Sequence, residues 1–452
     1  MVENKMGIVP VPKLLLNMSL PAICSMLLQA IYNVVDSIFV SRISENALAA
    51  ITLVFPMQML LIAVGVGTGV GLNSLISRRL GEKREADANS AATHGMILIL
   101  FNSVVFLLIG LFTSRPFYNW YSDDPSLVNM ATQYGQIVLC VSFFLFAQTT
   151  FEKILQGTGN MLMPMISNMI GCVVNIILDP ILIFGLLGAP ELGVVGAAAA
   201  TVIGQACGCL AVSMFVLKKQ QIIKISFRNF KFSWATIKDI YVVALPGMVM
   251  QAIPSFVNIA LNQILIGFSV SAVSVLGVYF RLQSFVFMPV FGLTQGAMPI
   301  MGYNYGAKNR KRLTKTIHLT LRVSIIIMII GTVVFQLFPD QLLAIFDASY
   351  QMLEMGRMAM RLLSICFVPA AVGITFSTLF QALGHGIYSL IMTLIRQCFA
   401  ILPIAYFLSK VIGVNGVWAA YPMAETAGLT AAILFYRHIY KKKIRNLPDG
   451  AE

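Results

Sequence analysis

The sequence predicts an all-α integral membrane protein with twelve transmembrane helices in two pseudo-symmetric six-helix lobes. Its composition, twelve long apolar runs and an internal repeat support this fold class. Of the 452 residues, 58% are hydrophobic and 11% are charged, and the mean hydropathy is +0.83. A soluble globular protein carries about 25% charged residues, so this chain lacks the polar surface that a soluble fold needs. The composition therefore excludes an ordinary soluble enzyme, a disordered chain and a fibrous protein.

Twelve apolar runs are separated by short polar breaks, and each is long enough to cross a bilayer, which takes roughly 20 residues as a helix. They lack the alternating pattern of β-barrel strands. The first run is too long for the core of a signal peptide, so we interpret it as a retained helix. The runs cover residues 14–40, 47–77, 89–112, 127–157, 161–188, 193–217, 239–266, 271–301, 315–338, 350–384, 387–411 and 416–440.

The basic residues that give the net charge of +13 are concentrated in alternate loops. The positive-inside rule assigns such loops to the cytoplasm, so we expect both termini there. We interpret the excess charge as an orientation signal and expect no binding to nucleic acid. All seven cysteines lie in apolar runs, which argues against a disulfide framework or a cysteine metal site.

Short motifs recur along the chain at a nearly constant spacing. The loop RRLGEKR, which contains Lys83, has a counterpart in NYGAKNRKR, which contains Lys308. LQGTGN, with Gly159, is matched at the same spacing by FQALGH, with Gly384. A further match, at a slightly shorter spacing, relates LGVVGAAAA to IGVNGVWAA. These matches indicate that the chain consists of two related halves.

The repeat predicts an N-lobe of helices 1–6 (residues 1–217), a cytoplasmic basic linker (218–238), and a C-lobe of helices 7–12 with a basic cytoplasmic tail (239–452). Because each half has an even number of helices, both halves enter the membrane from the same side. Parallel repeats of this kind are common in secondary transporters, where two lobes move against each other.

Four acidic residues lie well inside predicted helices: Asp36, Glu152, Asp179 and Glu425. A charge at membrane depth costs about 2.5–3.5 kcal/mol on insertion scales, so each of these residues needs a reason to be there. We expect Arg281 or Arg396 to neutralise Glu425. Glu152 has two interpretations that the sequence leaves open, a residue that lines a cavity or a charge at the cytoplasmic end of its helix.

Two of these acids are predicted to belong to one polar cluster, made of Asp36, Asn175, Asp179 and Thr201. Asn175 lies one helical turn before Asp179, and Pro180 removes a backbone hydrogen bond beside the carboxylate. Two adjacent carboxyl groups can exchange a proton, and together with neighbouring oxygens they can hold Na⁺. The alternative is that these groups only bond each other across helices, but intramembrane acids are usually functional.

A second set of polar residues is predicted to line a substrate cavity. Gln29 and Tyr32 share a helix face with Asp36, and Asn33 flanks that face. The full set is Gln29, Tyr32, Asn33, Glu152, Arg281 and Gln283.

These motifs resemble those of the multidrug and toxic compound extrusion (MATE) transporters over essentially the whole chain. The resemblance rests on the early LP, YNVVD, LQGTGN, NIILDP and, most specifically, FMPVFGLTQGAMPIMGYNYGAKNRKR. It implies a V-shaped pair of lobes and antiport of organic cations against H⁺ or Na⁺. It also implies a cation site at the positions that match Asp36, Asn175, Asp179 and Thr201. Members that use acids in helices seven, eight or ten differ from this chain, which has none deep in those helices.

We therefore expect a secondary active exporter rather than an enzyme. Its coupling ion is H⁺ or Na⁺, and no other cofactor and no metal besides a possible Na⁺ at the cluster is expected. The expected partners are small organic cations and the lipid bilayer, and we expect a monomer in the bacterial cytoplasmic (inner) membrane. The alternative function is a lipid-linked saccharide flippase of the same superfamily, which would need arginines for pyrophosphate. A membrane enzyme would need a catalytic constellation, and the four histidines are scattered near helix ends.

Overall fold

The computed structural model describes residues 4–217, 222–228, 230–346 and 350–450, without the side chains of residues 33, 34, 37, 41 and 45. All regular elements in these ranges are helices. Those before residue 218 are α1 (Lys5–Ile8), α2 (Val11–Ser41), α3 (Glu45–Gly81), α4 (Glu85–Leu108), α5 (Ser114–Tyr121), α6 (Pro125–Cys140), α7 (Phe143–Gly157), α8 (Leu162–Phe184) and α9 (Val194–Val216).

The helices after residue 222 follow the same order of long and broken elements. They are α10 (Trp234–Ile266), α11 (Val270–Gly306), α12 (Arg310–Leu337), α13 (Pro339–Ala344), α14 (Tyr350–Ser364), α15 (Phe367–Ala382), α16 (Gly386–Leu394), α17 (Leu402–Ile412) and α18 (Val414–Ile439). Three π-helical segments, Ile109–Thr113, Ile395–Ile401 and Tyr440–Ile444, and one 3₁₀ turn, Leu186–Gly188, complete the described helices.

Within the described ranges, nine helices are long and apolar enough to cross a membrane, and eleven spans result when each of two bent helix pairs is counted as one. The bent pairs are α6 with α7, at 44°, and α14 with α15, at 45°. The remaining predicted run corresponds to α18, which has 26 residues and carries Glu425. Each of the twelve predicted runs thus corresponds to one long helix or one broken helix.

The internal repeat is visible in the backbone of α3 and α11, which both have 37 residues. Each begins at a serine, Ser44 or Ser269, whose side chain accepts a hydrogen bond from the backbone N–H three residues on. Each is followed by a lysine in the left-handed region, Lys83 at φ 59° and Lys308 at φ 54°. Non-glycine residues rarely adopt this conformation, so its recurrence at matching positions supports a common origin for the two halves.

The helices pack into two compact units. One unit comprises residues 24–248, and the other comprises the residues up to 23 together with those from 249 onward. The boundaries lie inside α2 and α10, at positions related by the same spacing as Lys83 and Lys308. They describe packing, whereas the boundaries 1–217, 218–238 and 239–452 describe the repeat and stay a prediction.

Candidate functional site

The centre of the predicted polar cluster depends on the close approach of α8 and α9. Gly171 on α8 and Gly204 on α9 face each other where the helices meet. A β-carbon on Gly204 would lie 2.7 Å from the carbonyl oxygen of Gly171 and 3.1 Å from Cβ of Asn175. Small residues at such contacts let two backbones come together, so side chains on both helices reach each other.

Asn175 links Asp179 to α9 through its amide group. With its nitrogen directed at the carboxylate, Asn175 Nδ2 donates to Asp179 Oδ2 at 2.8 Å, and its Oδ1 accepts from the backbone N–H of Thr201 at 3.0 Å. This orientation gives each amide atom a partner of the opposite kind. The hydroxyl of Thr201 donates to the carbonyl oxygen of Ala197 at 3.0 Å. Asn175, Asp179 and Thr201 are all buried.

Asp36, on α2, brings a second carboxyl group to this cluster. Its carboxyl lies within hydrogen-bonding reach of the carboxyl of Asp179. Ionised carboxylates only accept hydrogen bonds, so a bond between the two groups contains a shared proton. Asp179 Oδ1 is buried, and no amide or hydroxyl of the described residues donates to it. The structure therefore brings together Asp36, Asn175, Asp179 and Thr201, and leaves one carboxylate oxygen of Asp179 open to a proton or a cation.

Tyrosine hydroxyls complete the surroundings of the two carboxyl groups. Tyr32, one turn before Asp36 on α2, lies within hydrogen-bonding reach of Thr201. Tyr134 on α6 reaches both Thr201 and Gln58 of α3. Tyr134 and Gln58 were not predicted, because a neutral polar side chain stands out less than a charge in an apolar helix. The signal that could have found them is a neutral polar side chain on an apolar helix, which usually faces the interior of the bundle.

Glu152 belongs to a separate network between α7 and α8. Gln148 Nε2 donates to Glu152 Oε1 at 3.0 Å, and Asn168 Nδ2 donates to Oε2 at 3.4 Å. Ser167 Oγ lies 3.2 Å from Oε1. The ammonium of the adjacent Lys153 donates to Gln156 at 2.9 Å. Glu152 is 7% exposed. Both interpretations of it, as a residue that lines a cavity and as a charge at the cytoplasmic end of its helix, stay predictions.

The other predicted cavity residues lie in different places. Gln29 is exposed on α2, in the unit of residues 24–248, and the side chain of Asn33 lies outside the described residues. Arg281 is exposed and Gln283 is half-buried on α11, in the other unit. Their assignment to a cavity stays a prediction.

Glu425 has a basic partner, as expected. Of the two candidates, Arg396 is the one in contact, and its Nη1 lies 2.8 Å from Glu425 Oε1. Both side chains are largely buried, with exposed fractions of 23% for Arg396 and 12% for Glu425.

Long apolar helices in two related halves, with carboxyl groups buried inside them, are typical of secondary transporters. The family comparison agrees with this class of protein. The chain belongs to the MatE family, whose model matches residues 21–181 and 246–407. This result confirms the family that the sequence motifs resemble.

The similarity extends over whole chains. The chain is 25% identical over 453 residues to the multidrug export protein MepA of Staphylococcus aureus strain COL, covering 98% of this chain and 96% of that protein. A solved outward-facing multidrug resistance MATE family transporter of the MOP superfamily is 26% identical, with a TM-score of 0.93 and 99% of both chains covered. This likeness confirms the twelve-helix, two-lobe fold.

A third similar protein has a different description. It is a MOP superfamily transporter from Pyrococcus furiosus, whose binding pocket of reversed polarity is described as suggesting a different function. It is 27% identical, with a TM-score of 0.91 and 98% of this chain and 99% of that chain covered.

Proposed function

We propose that this protein is a secondary active multidrug exporter, which moves small organic cations out of the cell in exchange for H⁺ or Na⁺. The coupling ion binds at Asp36 and Asp179, with Asn175 and Thr201 holding the second carboxylate in place. The name of the MepA relatives supports export of drugs, and the fold supports a transporter rather than an enzyme.

The contact between Asp36 and Asp179 carries this proposal. Two carboxyl groups beside each other in a buried site cannot both ionise without a cation, because repulsion and desolvation both oppose the second charge. The two carboxyl groups therefore take up H⁺ or Na⁺ whenever they lie beside each other in this site. The neighbouring groups, which are the amide of Asn175 and the hydroxyls of Thr201 and the two tyrosines, are neutral, so the positive charge must come from the coupling ion.

The proposed cycle uses this requirement. An ion that enters from outside neutralises the pair, and the cationic drug, which the same negative charge attracts, then leaves. The ion can only act in this way because it binds one conformation more tightly than the other. Drug and ion compete for the same negative charge, so the release of one accompanies the binding of the other. Glu152, Gln29 and Tyr32 are assigned to the drug-binding surface in this cycle.

The basic loops and termini are proposed to face the cytoplasm of a bacterial cell, with the protein in the inner membrane as a monomer. The bilayer and the organic cation are the proposed partners. In this orientation the coupling ion enters from outside the cell, and the drug leaves in the opposite direction.

The experiment that tests the coupling site is ethidium efflux from cells and proteoliposomes that carry Asp36→Asn or Asp179→Asn. Each change removes the titrating group and keeps the shape of the side chain. Efflux is expected to fall to the level of membranes without the protein. The matched control is Asp123→Asn, which changes an exposed acid in the loop before α6 and should leave efflux unchanged. Full efflux by both cluster variants would remove the proposed site.

The identity of the ion is tested in the same vesicles under separate gradients. A pH gradient alone or a Na⁺ gradient alone should drive uptake of a fluorescent cation, and the variants should lose the response to that gradient. A response to neither gradient contradicts ion coupling altogether.

A lipid-linked saccharide flippase is the alternative function within this fold. Such a protein binds pyrophosphate, which requires unpaired arginines in its cavity. The described polar cluster is acidic, and Arg396 is bonded to Glu425, so the charge pattern favours cations. Transfer of a lipid-linked sugar in vesicles, without ethidium transport, would support the alternative.

A further inference from the structure

The second half of the chain contains one acidic residue near the middle of a long helix among its described residues, Glu425 on α18. Its contact with Arg396 differs from the environment of Asp179. In the polar cluster of the first half, Asp179 accepts a hydrogen bond from the neutral amide of Asn175 and lies beside the carboxyl of Asp36. In the second half the carboxylate meets a guanidinium, which cannot lose its proton in a protein.

Two unusual features bring Arg396 to this position. Arg396 is the second residue of the π-helical segment Ile395–Ile401, which interrupts the continuous span between α16 and α17. Gly428, one turn after Glu425 on α18, leaves room for the stem of the arginine. A β-carbon there would lie 3.1–3.2 Å from Cβ, Cγ and Cδ of Arg396. Single π-helical segments are rare and recur at functional sites. The backbone and the glycine both serve the approach of one guanidinium to one carboxylate.

The internal repeat relates the contact between Arg396 and Glu425 to the polar cluster of the first half. The match of LGVVGAAAA with IGVNGVWAA relates α9, with Thr201, to α18, with Glu425 one turn beyond the matching position, Tyr421. The preceding helix supplies the residues that lie against it. In the first half this is α8, with Asn175 and Asp179, and in the second half it is the span of α16 and α17, with Arg396. The same pair of helices therefore holds Asp179 with Asn175 and Thr201 in the first half, and Arg396 with Glu425 in the second.

We propose that Arg396 is a fixed internal counter-cation, which permanently supplies to Glu425 the positive charge that an exchangeable ion supplies to Asp36 and Asp179. This inference rests on the proposed function of the first-half cluster. It makes Arg396 a residue that determines specificity: the guanidinium prevents Glu425 from binding the coupling ion or a cationic drug. Ion exchange is then confined to one half of the protein.

The groups around Glu425 support this assignment. The titratable side chains that interact with it electrostatically are Tyr279 on α11, Cys366 before α15, and Arg396. Arg396 is the positively charged group among them. Tyr421 Oη and Gln397 Oε1 are buried without a hydrogen-bond partner among the described residues. Without Arg396, the buried carboxylate would have no positive charge among these groups, and a proton or Na⁺ would have to supply it.

The first test counts bound cations on purified protein. Arg396→Gln is expected to bind one H⁺ or Na⁺ more than the unchanged protein, measured by proton uptake in unbuffered solution and by Na⁺ titration. The double variant Arg396→Gln with Glu425→Gln should return to the count of the unchanged protein. An equal count in Arg396→Gln and the double variant, with both folded, overturns the proposal.

The second test needs no substitution. Dicyclohexylcarbodiimide modifies protonated carboxyl groups in apolar surroundings, and mass spectrometry locates the product. In Na⁺-free buffer at neutral pH, modification is expected at Asp36 or Asp179 and not at Glu425, and Arg396→Gln should make Glu425 reactive. Modification of Glu425 in the unchanged protein overturns the proposal. Failure of the proposed function would be seen separately, as efflux that survives Asp179→Asn, and would leave the result at Glu425 unaffected.

Discussion

The two halves of the protein have similar backbones but differ in the groups that surround a buried carboxyl group. In the first half, Asp36 and Asp179 lie within reach of each other, and their described partners are neutral. In the second half, Glu425 is bonded to Arg396 at 2.8 Å. A proton or a metal cation can leave a site, whereas a side chain cannot. The comparison teaches that two copies of one fold can hold a buried carboxylate on different helices, beside neutral groups in one copy and beside a fixed positive charge in the other.

The largest effect is expected from breaking the second-half pair from one side. Glu425→Gln leaves a buried guanidinium that cannot deprotonate, and loss of one partner of a buried ion pair costs about 3–5 kcal/mol. Arg396→Gln should cost less, because the remaining carboxyl group can take up a proton or a cation. Thermal unfolding of the purified variants measures this order. If Arg396→Gln destabilises as much as Glu425→Gln, the remaining carboxylate has found no substitute cation.

The next effect concerns the helix contact that supports the first-half cluster. Gly204→Ala places a β-carbon 2.7 Å from the carbonyl oxygen of Gly171, so α9 must move away from α8. Overpacking of this kind costs about 1–3 kcal/mol, and we expect ion-driven efflux to fall with it because Asn175 and Thr201 separate.

The control for this change is Gly277→Ala on α11, where an added β-carbon meets open space. It should leave the unfolding temperature and efflux unchanged or slightly raised, since alanine favours helices over glycine. Equal losses in the two variants would mean that the loss does not depend on the contact between α8 and α9.

A smaller effect is expected at Tyr134, which was not predicted from the sequence. Tyr134→Phe removes the hydroxyl that reaches Thr201 and Gln58. A hydrogen bond contributes about 1 kcal/mol, which corresponds to a roughly fivefold weaker apparent affinity for the coupling ion. The measurement is the ion concentration for half-maximal efflux. Tyr118→Phe is the matched control, because its buried hydroxyl has no hydrogen-bond partner among the described residues, and its affinity should not change.

The smallest effect is expected at an exposed ion pair of the second half. Arg357 bonds both oxygens of Asp340, and these hydrogen bonds hold the pKa of Asp340 below its usual value. Because the pKa is lowered on folding, the contribution of the pair is present at neutral pH and is lost only as the pH falls through that lowered pKa. Exposed pairs contribute little, so Asp340→Asn should leave the unfolding temperature almost unchanged at pH 7. A loss comparable to that of Glu425→Gln would show that pairing, rather than burial, decides the cost.

The fold could be predicted from the sequence because each span must satisfy its own backbone in lipid. Only helices of sufficient length do so, and length and apolarity are visible in the sequence. The breaks within spans were not visible. The bend between Cys140 and Phe143 has no proline or glycine at the break. The π-helical segment Ile395–Ile401 contains neither residue.

Much of the candidate site could also be predicted, because a carboxylate in an apolar helix stands out. Asp36, Asn175, Asp179 and Thr201 do lie together, although their role stays a prediction. The partners of Glu152 were not predicted, since Gln148 and Asn168 are neutral and acquire meaning only when α7 meets α8. The choice of Arg396 over Arg281 was likewise decided by distance in space.

The left-handed lysines at positions 83 and 308 have a consequence for how the protein enters its membrane. A side chain in this conformation costs roughly 1–2 kcal/mol that glycine would avoid, so the turn itself does not explain why both copies carry lysine. Both belong to basic loops, which the positive-inside rule assigns to the cytoplasm. We therefore expect that lysine is kept at these two turns because its charge helps to orient the chain during membrane insertion, and that this benefit outweighs the conformational cost.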